Sequence, residues 1–335
     1  MRILVTGGAG FIGSHFVRHL LRTYPEYELV NLDKLTYAGH PANLADVAAD
    51  PRYRFVHGDI ADAPLVRAVM TGCDAVVNVA AESHVDRSIQ DAGAFLRTHV
   101  LGTGVLLEAA RAHRVGRYLQ VSTDEVYGSI AQGAFRETDP LRPSSPYAAA
   151  KAGGDHLVLA YWTTYRLPVV ITRASNTFGP HQYPEKVIPL FVTNALDDRP
   201  LPLYGDGHQV RDWLYVLDHV AALDLVLHKG TEGEVYNVGG GHELENLELT
   251  RRILALLGKP EGLIRPVTDR PGHDRRYAVD TGKLHALGWQ PAHAFDAALA
   301  ATVAWYRAHE AWWRPLKRGE FRSYYDRQYG GVSPA

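Results

Sequence analysis

The first half of the chain alternates short apolar, often β-branched runs with longer stretches in which apolar residues recur every three or four positions. Such runs indicate buried strands, and such spacing indicates amphipathic helices. The strand-like runs lie at residues 2–6, 29–32, 53–57, 75–79, 118–122 and 169–173, and the helical spacing at 11–24, 63–70 and 94–113. Strands that alternate with helices of this length predict right-handed crossovers and a sheet covered on both faces. The predicted fold class is therefore α/β, a doubly wound parallel sheet of the Rossmann-like type.

The second half has a different texture, because proline and glycine become frequent around residues 179–202. Residues 211–228 begin like a strand and continue like a helix, 234–238 resemble a strand, and 247–257 and 295–313 have helical spacing. We therefore predict one domain over residues 1–175 and a smaller C-terminal substrate-binding domain over 176–335. The chain is expected to return to the first domain around 206–238.

Composition and charge exclude several classes of protein. The 335 residues are 46% hydrophobic, which is enough for a large core, and 35 basic residues face 37 acidic ones. The net charge of −2 lacks the basic surplus of a nucleic-acid or anionic-membrane binder. The single cysteine, Cys73, excludes an internal disulfide and a cysteine-based zinc cluster, and the histidines lack metal-ligand spacing, so no metal site is expected. No apolar run approaches the ~18 residues of a membrane span, and the first residues leave no room for a signal peptide. The expected location is cytoplasmic.

A glycine-rich loop lies between the first predicted strand and the first predicted helix, with glycines at positions 7, 10 and 13. Small residues there permit a tight turn and let the backbone approach a pyrophosphate at the helix N-terminus. A plain structural turn is the alternative interpretation. Asp33 ends the second strand, 20 residues after Gly13. A carboxylate there accepts hydrogen bonds from a ribose 2′-hydroxyl and repels a 2′-phosphate, which favours NAD over NADP; otherwise Asp33 caps the next turn.

Two further strand ends fit the same interpretation, because open α/β sheets bind ligands at the carboxyl ends of their strands. Asp59 and Ile60 follow the third strand and would flank an adenine, although an aspartate after a strand is also ordinary turn chemistry. Residues 80–83 follow the fourth strand and would line the middle of the cofactor.

Tyr147 and Lys151 are four residues apart, after Ser145 and Pro146, which predict a helix start. Their side chains therefore share one helix face. At ~4 Å and an effective dielectric constant of ~20, an ammonium attracts a phenolate by ~4 kcal/mol. That attraction is enough to lower the pKa of the phenol from ~10 by about three units, giving a general base for a hydroxyl proton. A solvated helix face is the alternative.

The segment 122–128 directly follows the fifth strand and contains Thr123, Asp124 and Glu125. Adjacent carboxylates at a strand end often cap a helix or face water. At the end of this central strand they could instead supply an acid and a base, one protonated and the other ionised. Thr123 could donate a hydrogen bond to a substrate oxygen.

Together these segments resemble the extended short-chain dehydrogenase/reductase family. The glycine loop, the Tyr147/Lys151 pair and residues 122–128 carry the general resemblance. Four more segments narrow it to the nucleotide-sugar 4,6-dehydratases of that family, namely residues 33–39, 80–88, 184–189 and 270–277. The similarity runs from about residue 1 to 320. Thr-Asp-Glu at 123–125 is the sharpest discriminator, since related epimerases and decarboxylases usually lack the aspartate.

The resemblance implies a three-step reaction on dTDP-glucose. Tyr147 deprotonates the C4 hydroxyl while NAD takes the C4 hydride, Lys151 orients the nicotinamide ribose, and Thr123 holds the C4 oxygen. Glu125 then acts as the base at C5 while Asp124 protonates the departing C6 hydroxyl. Hydride returns to C6 and gives a 4-keto-6-deoxy sugar. Since the cofactor is regenerated within the cycle, NAD is expected to stay tightly bound.

The resemblance also implies the residues that contact each ligand and a homodimer formed through residues 94–113 and 147–165. The implied NAD contacts are Gly7, Gly10, Phe11, Ile12, Gly13, Asp33, Lys34, Leu35, Thr36, Asp59, Ile60, Ala80, Ala81, Ser83, Thr98, Tyr147, Lys151 and Thr177. The implied substrate contacts are Ser83, Thr123, Asn176, Lys186, Val187, Pro202, Leu203, Tyr204, Arg211, Asn246, Arg270 and His273. The arginines and Lys186 suit a diphosphate, and Tyr204 offers an aromatic edge to a base.

Two positions depart from the family pattern. Thr177 follows Asn176 where a second asparagine is common, and His99 stands where an asparagine is usual. Both departures put NAD contacts in question but leave the proton-transfer groups intact. The alternatives are a 4-epimerase or a UDP-glucuronate decarboxylase of the same fold, neither of which needs an acid at C6, and a non-catalytic NAD-binding protein. The preference for dTDP over UDP is not readable from these residues.

Overall fold

The computed structural model describes residues 1–330, and its centre is a parallel sheet. Within these residues the strands are β1 (Arg2–Thr6), β2 (Glu28–Asp33), β3 (Tyr53–His57), β4 (Ala75–Asn78), β5 (Arg117–Thr123), β6 (Val169–Ala174), β7 (Asn176–Phe178), β8 (Leu201–Tyr204), β9 (Val210–Tyr215), β10 (Val235–Val238), β11 (Glu243–Glu245) and β12 (Ile264–Val267). Seven of them form the central sheet in the order β10-β6-β5-β4-β1-β2-β3, and each neighbouring pair is parallel. The order reverses between β1 and β4, so the predicted doubly wound fold is confirmed.

Helices connect these strands. They are α1 (Phe11–Thr23), α2 (Ala63–Met70), α3 (Val85–Gln90), α4 (Gly93–Leu96), α5 (Thr103–Ala112), α6 (Pro146–Tyr165), α7 (Val187–Leu196), α8 (Val216–Lys229), α9 (Asn246–Leu257), α10 (Gly282–Ala286), α11 (Phe295–Ala308), α12 (Glu310–Leu316) and α13 (Glu320–Tyr329). A π-helical stretch, Arg97–Gly102, joins α4 to α5 and makes one continuous helix. This helix is the one predicted over 94–113.

Apolar clusters cover both faces of the central sheet. One contains Phe16 and Leu20 of α1 together with Val220 and Leu223 of α8. The other packs residues of α2, α5 and α6 against the opposite face. Strands β1, β2, β4, β5 and β6 were predictable because strands inside a parallel sheet are buried on both faces along nearly their whole length. Strand β3 lies at the edge of the sheet, and all of its residues are partly or fully exposed.

The second half of the chain builds its own apolar cluster around α7, α9, α11 and α12. Two small sheets lie in this half, β11-β9-β7 and β12-β8, whereas β10 joins the central sheet beside β6. The single helix predicted over 295–313 is wrong, because the backbone leaves helical geometry at His309 and divides the segment into α11 and α12. Helix α7 was missed because its residues are buried on nearly every side and show no helical periodicity.

Buried hydrogen bonds tie the central strands together at the edge where their carboxyl ends meet. The Thr6 hydroxyl donates to Asn78 Oδ1 at 2.6 Å, and Asn78 Nδ2 donates to Gln120 Oε1 at 2.9 Å. These contacts join β1, β4 and β5 just below the loops that carry the predicted chemistry. No helix within residues 1–330 is both long and apolar enough to cross a membrane.

Trp313 is the largest fully buried side chain described, and its indole N–H donates to the carbonyl oxygen of Tyr306 at 2.8 Å. We expect Trp313→Ala to cost ~3–5 kcal/mol because it opens a large cavity in the cluster around α7, α9 and α11. The unfolding midpoint in urea should fall well below that of the parent, whereas Trp313→Phe should fall less. Equal midpoints for Trp313→Ala and the parent would contradict this packing.

Candidate active site

The glycine loop after β1 has no room for side chains. Gly7 has φ +69°, and a Cβ on it would lie 2.6 Å from the Cα of Ala80. A Cβ on Gly13 would lie 2.2 Å from the carbonyl oxygen of Gly7. The backbone therefore approaches the end of β4 and the start of α1 closely, and forms the cradle that a pyrophosphate requires.

Asp33 caps the turn after β2, which is one of the two interpretations that the sequence left open, and it also lines the cleft. Its Oδ1 accepts a hydrogen bond from the Leu35 N–H, which caps the turn after β2, and its Oδ2 accepts one from the Ala9 N–H, each at 2.8 Å. The carboxylate also lines the cleft beside the glycine loop. Burial raises its pKa, while the two backbone hydrogen bonds oppose that shift. Each oxygen keeps a lone pair for a ligand hydroxyl.

The first cleft, which we call the dinucleotide cleft, is formed by the glycine loop and the loops that follow β2, β3 and β4. Most of the residues predicted to contact NAD line it, namely Gly7, Gly10, Phe11, Ile12, Gly13, Asp33, Lys34, Thr36, Asp59, Ile60, Ala80, Ala81, Ser83 and Thr98. Leu35, Tyr147 and Lys151, which were also predicted to contact NAD, are not among its lining residues. Glu82, which lies in the predicted segment 80–83, also lines the wall, together with residues that sequence reasoning missed, including Ala38, Gly39, Gln182, Tyr183 and Glu185. Gln182 and Tyr183 reach this cleft only through the tertiary fold.

Thr177 does not line the dinucleotide cleft, so the expected contact near the nicotinamide is absent from its wall. Its hydroxyl lies 2.9 Å from His219 Nδ1 on α8 and 3.3 Å from the carbonyl oxygen of Ser175. The hydroxyl is thus engaged by protein groups, which is the physical reason for the difference.

Tyr147 and Lys151 occupy the first turns of α6, as the sequence predicted. The Ser145 hydroxyl caps this helix by accepting the Ala148 N–H, and Pro146 is its first residue. Both side chains are buried. Lys151 Nζ donates to the carbonyl oxygen of Val121 on β5 at 2.9 Å. Burial lowers the pKa of Lys151 to about 8, and the negative charge of Asp155 opposes that shift.

The expectation that Lys151 lowers the pKa of Tyr147 is wrong for this structure. Burial raises the pKa of the Tyr147 phenol, the charges of Glu125 and Asp124 raise it further, and a hydrogen bond with Thr123 opposes them. The prediction treated the two groups as a partly solvated pair. Desolvation outweighs the attraction, since the pair is buried and the Lys151 ammonium donates to a backbone carbonyl.

His99 lies against this pair, on the π-helical stretch between α4 and α5. Its Nε2 is 2.8 Å from the carbonyl oxygen of Glu82, and since a carbonyl only accepts, Nε2 carries the proton. The ring packs edge-on against Tyr147 with 5.9 Å between the ring centroids. Burial and the charge of Lys151 hold the pKa of His99 well below its usual range, so the ring is neutral. His99 therefore joins the wall of the dinucleotide cleft to the Tyr147 side chain.

Thr123 ends β5, and the following residues turn sharply in a short 3-10 helix, Asp124–Tyr127. The Thr123 hydroxyl oxygen accepts the Glu125 N–H at 3.2 Å, which fixes this turn. The two carboxyl groups beyond it have different surroundings. Asp124 is buried, and its Oδ2 has no hydrogen-bond partner.

The surroundings of the two carboxyl groups separate their pKa values. Burial and the like charges of Glu125 and Asp212 raise the pKa of Asp124 well above its usual range. Burial also raises the pKa of Glu125, but the nearby cationic groups of Arg270, Lys186 and Arg211 oppose that shift. Asp124 is consequently suited to donate a proton and Glu125 to accept one.

A second cleft, which we call the substrate cleft, adjoins the first, because Glu185 and Lys186 line both. Most of the predicted substrate contacts line it, namely Asn176, Lys186, Val187, Pro202, Leu203, Tyr204, Arg211, Asn246, Arg270 and His273. Ser83 lines the dinucleotide cleft instead, and Thr123 lines neither cleft. Glu125 also lines the substrate cleft, which places a carboxyl group beside the cationic groups.

The cationic side chains of the substrate cleft are held by protein contacts. Arg270 Nη1 lies 3.1 Å from Asp86 Oδ1, and the Tyr204 hydroxyl donates to Asp86 Oδ2 at 2.8 Å. Arg211 Nη2 donates to the carbonyl oxygen of Asp274 at 2.9 Å, and Lys186 Nζ donates to that of Ser83. This concentration of positive charge suits an anionic, diphosphate-bearing ligand.

Trp213 is a lining residue that sequence reasoning missed. It is buried, and its indole N–H has no partner although it lines the substrate cleft. Tyr277 and Tyr329 were missed in the same cleft. Trp213 lies two residues after Arg211 on β9, so strand alternation alone would have placed both side chains on one face.

Comparison with known proteins agrees with this geometry. The sequence profile of the GDP-mannose 4,6 dehydratase family matches residues 4–302. The chain is 56% identical over 322 residues to the dTDP-glucose 4,6-dehydratase of Streptomyces niveus, covering 95% of this chain and 96% of that protein. It superimposes with a TM-score of 0.93 and 56% identity on DesIV, the dTDP-glucose 4,6-dehydratase of Streptomyces venezuelae solved with NAD, covering 95% of this chain and all of that one.

A UDP-glucose 4-epimerase from Thermus thermophilus, also solved with NAD, is more distant, with 34% identity and a TM-score of 0.85 over 92% of this chain and 100% of that one. The class defined by fold and sequence is thus the extended short-chain dehydrogenases/reductases that act on nucleotide sugars. Within that class, the chain belongs to the dTDP-glucose 4,6-dehydratase family.

We expect Gly13→Ala to weaken NAD binding, because its Cβ would overlap the Gly7 carbonyl oxygen. Overpacking costs ~1–3 kcal/mol, which corresponds to ~5- to 150-fold in affinity. The measurement is the NAD released on denaturation per mole of purified protein. Gly262→Ala is the control, since Gly262 lies in a short 3-10 helix, Glu261–Leu263, outside the cleft and has nothing within 4 Å of its Cβ position. Full NAD occupancy in Gly13→Ala would contradict the assigned cradle.

Proposed function

We propose that the chain is a hydro-lyase that converts dTDP-glucose to dTDP-4-keto-6-deoxyglucose with NAD as its cofactor. The observation that carries this proposal is the Asp124/Glu125 turn beside Tyr147 and Lys151, where a dinucleotide cleft meets a cationic cleft. A 4-epimerase or a decarboxylase needs no acid at C6 and leaves Asp124 without a purpose. The identity to dTDP-glucose dehydratases, 56% against 34% for the epimerase, supports the same choice.

The dinucleotide cleft fits NAD, because the glycine cradle is space that a Cβ would fill and Asp33 keeps acceptor capacity toward a ribose. Bound NAD supplies the hydride acceptor at C4 and the hydride donor at C6. The NAD contacts are the cleft residues that the sequence predicted, with Tyr147 and Lys151 beside the reacting end. Since oxidation and reduction balance within one turnover, NAD remains bound.

In the first step Tyr147 removes the C4 hydroxyl proton and Thr123 holds the C4 oxygen. Burial keeps the Tyr147 phenol protonated in the structure described above, so its activation needs positive charge. Lys151 contributes that charge from one helical turn away, and the oxidised nicotinamide ring adds to it. The proton therefore leaves Tyr147 only in the loaded site.

The second step removes water across C5 and C6. The C4 ketone acidifies the C5 proton, which Glu125 accepts, and Asp124 protonates the departing C6 hydroxyl. The pKa directions of the two groups support these roles, because Asp124 is held in its acid form while neighbouring cations favour ionised Glu125. Return of the hydride to C6 and return of the proton from Glu125 to C5 would then complete the reaction.

The substrate diphosphate is held by Arg211, Arg270 and Lys186. The residues of the substrate cleft named above complete the proposed substrate contacts, together with Ser83 and Thr123. The cleft residues share the support that they surround one cationic cleft joined to the dinucleotide cleft. Ser83 lines the dinucleotide cleft, and Thr123 precedes the Asp124/Glu125 turn.

We also propose that residues 1–175 form the NAD-binding domain and 176–335 the sugar-nucleotide-binding domain, with a return to the first around 206–238. The pairing of β10 with β6 and the packing of α8 beside α1 support the return. Strand β9 pairs with β7 and β11 and not with the central sheet. The structural support for the return therefore begins at Val216, the first residue of α8. We propose a cytoplasmic location, in keeping with a single buried cysteine.

The function is tested by incubating purified protein with dTDP-glucose and no added NAD, followed by mass spectrometry of the nucleotide sugar. We expect a product lighter by one water. Conversion to a C4 epimer, which has the same mass and is recognised by proton NMR of the sugar, would support an epimerase. A sugar nucleotide unchanged in both mass and NMR spectrum with NAD added would support a non-catalytic protein. UDP-glucose as a second substrate measures the preference between the two nucleotides.

Asp124→Asn should slow water loss by ~10²–10⁴-fold, because the departing hydroxyl loses its proton donor. Oxidation at C4 should continue, so reduced nicotinamide accumulates and is visible by its absorbance. Asp218→Asn is the control, since Asp218 is a buried carboxylate on α8 that accepts the Ala292 N–H. Water loss at the parental rate in Asp124→Asn would refute the assigned role.

We further propose a homodimer formed through the continuous helix 93–112 and α6. Three large apolar side chains on these helices are unusually exposed, Leu96 at 53%, Leu101 at 51% and Tyr165 at 50%. A second copy of the chain would cover them, since the same helices pack against each other across a two-fold axis.

The double variant Leu96→Glu/Leu101→Glu should be monomeric by light scattering after size-exclusion chromatography, because it places charge in the proposed interface. Leu256→Glu on α9 is the matched control, since Leu256 is 41% exposed outside this surface. A parent protein with the mass of one chain would overturn the dimer.

A further inference from the structure

A fully buried ion pair lies beneath Lys151. Asp155 follows Lys151 by one turn of α6, and its Oδ2 is 2.8 Å from Arg173 Nε on β6. The Asp155 side chain is 0% exposed and that of Arg173 is 3% exposed. The pair therefore fixes the face of α6 that carries Tyr147 and Lys151 to the central sheet.

The same arginine also reaches the acidic turn. Arg173 Nη1 lies 2.9 Å from the hydroxyl oxygen of Tyr127, the last residue of the 3-10 turn that begins at Asp124. The guanidinium also lies over the Tyr127 ring, 4.9 Å from its centroid. The Tyr127 hydroxyl donates to Asn237 Oδ1 on β10 at 2.8 Å. One guanidinium thus contacts both α6 and the turn that carries Asp124 and Glu125.

Stability alone is a weak explanation for this arrangement. Removing two charges from water costs several kcal/mol each, and a buried pair often stabilises a fold no more than apolar side chains do. Asp155 Oδ1 moreover has no hydrogen-bond partner, so the pair is not fully satisfied. The contacts do fix the distance between the Tyr147/Lys151 pair on α6 and the Asp124/Glu125 pair on the turn after β5. The proposed reaction uses these two pairs in succession.

We propose that Asp155, Arg173 and Tyr127 are positioning residues that hold the Tyr147/Lys151 face of α6 and the Asp124/Glu125 turn in one fixed relation. This inference rests on the proposed function. The same bound sugar meets the oxidation groups at C4 first and the elimination groups at C5 and C6 next, so a shift of ~1 Å between the two sets of groups can cost ~10²-fold in rate.

Asp155 also influences the charge of Lys151. The titratable and charged groups on the elements around Lys151 are Tyr147 and Asp155 on α6, His99 on the π-helical stretch, Arg173 on β6, and Asp124 and Glu125 on the turn after β5. Of these, Asp155 is the one whose charge opposes the effect of burial on the pKa of Lys151. Its removal lowers that pKa below about 8, so the ammonium is lost at lower pH.

The first test is Tyr127→Phe, which keeps the ring and removes the hydroxyl that links Arg173 to the turn. Tyr127 lines neither cleft, so we expect KM for dTDP-glucose within twofold of the parent, kcat lower by ~10-fold, and reduced nicotinamide accumulating in the steady state. A merely structural role would lower the active fraction without changing the balance between oxidation and elimination. Tyr118→Phe is the matched control, because Tyr118 is a fully buried tyrosine on β5 whose hydroxyl donates to Gln120.

The second test is Asp155→Asn, for which the alkaline limb of the pH profile of kcat should move to lower pH by ~1 unit. Asp218→Asn, a buried carboxylate outside the site, should leave the limb in place. If Asp155→Asn fails to fold, Arg173→Lys tests the positioning role instead. This variant keeps the positive charge but cannot hold Asp155 and Tyr127 together. Arg173→Lys should accumulate reduced nicotinamide as Tyr127→Phe does.

An active parent whose Tyr127→Phe and Arg173→Lys variants keep the parental balance of steps would overturn the positioning proposal. A parental pH profile in Asp155→Asn would overturn its electrostatic part. A parent that does not dehydrate dTDP-glucose would instead refute the proposed function.

Discussion

The close approach of the Gly7 backbone to Ala80 is the constraint on which the rest of the site depends. These residues follow β1 and β4, the neighbouring strands between which the order of the sheet reverses. A Cβ on Gly7 would lie 2.6 Å from the Ala80 Cα, so the loops that form the dinucleotide cleft can meet only if this position has no side chain. The hydrogen bonds of Asn78 to Thr6 and Gln120 hold the strands in that relation. Strand β5 then delivers Thr123, and with it the acidic turn, to the same edge.

Burial sets the resting protonation states at this edge. It raises the pKa values of Tyr147 and Asp124 and lowers that of Lys151 to about 8. In the site without ligands, desolvation thus favours the neutral forms of the proposed base and the proposed acid alike. Protonated Asp124 can donate a proton as it stands, whereas protonated Tyr147 cannot accept one. Under the proposed mechanism, oxidation would therefore need positive charge beside Tyr147, whereas Asp124 already has the protonation state that elimination would need.

Much of this could be predicted from the sequence, and the exceptions have physical causes. Strands β1, β2, β4, β5 and β6 were predictable because a strand inside a parallel sheet is buried on both faces, and α6 because Ser145 and Pro146 mark its start. Helix α7 was not, since it is buried on nearly all sides and shows no periodicity. The direction of the Tyr147 pKa shift was missed because spacing along a helix indicates neither how deeply a side chain is buried nor that Lys151 donates to the Val121 carbonyl oxygen. Thr177 was misplaced because its partner His219 lies 42 residues away in the chain.

Trp213 shows how local reasoning could have gone one step further. Arg211 was predicted as a substrate contact, and β9 was predicted as a strand, so side-chain alternation already placed residue 213 on the same face. The register of the small sheet indicates the same position, because Trp213 on β9 pairs with Asn176 on β7, which was also predicted as a substrate contact. Its buried indole N–H lacks a partner, a condition that native structures seldom tolerate unless a ligand completes the site. Resemblance to a family identifies only the residues that its motifs contain. Strand geometry also identifies Trp213, which belongs to none of these motifs but lies on the same face of β9 as Arg211.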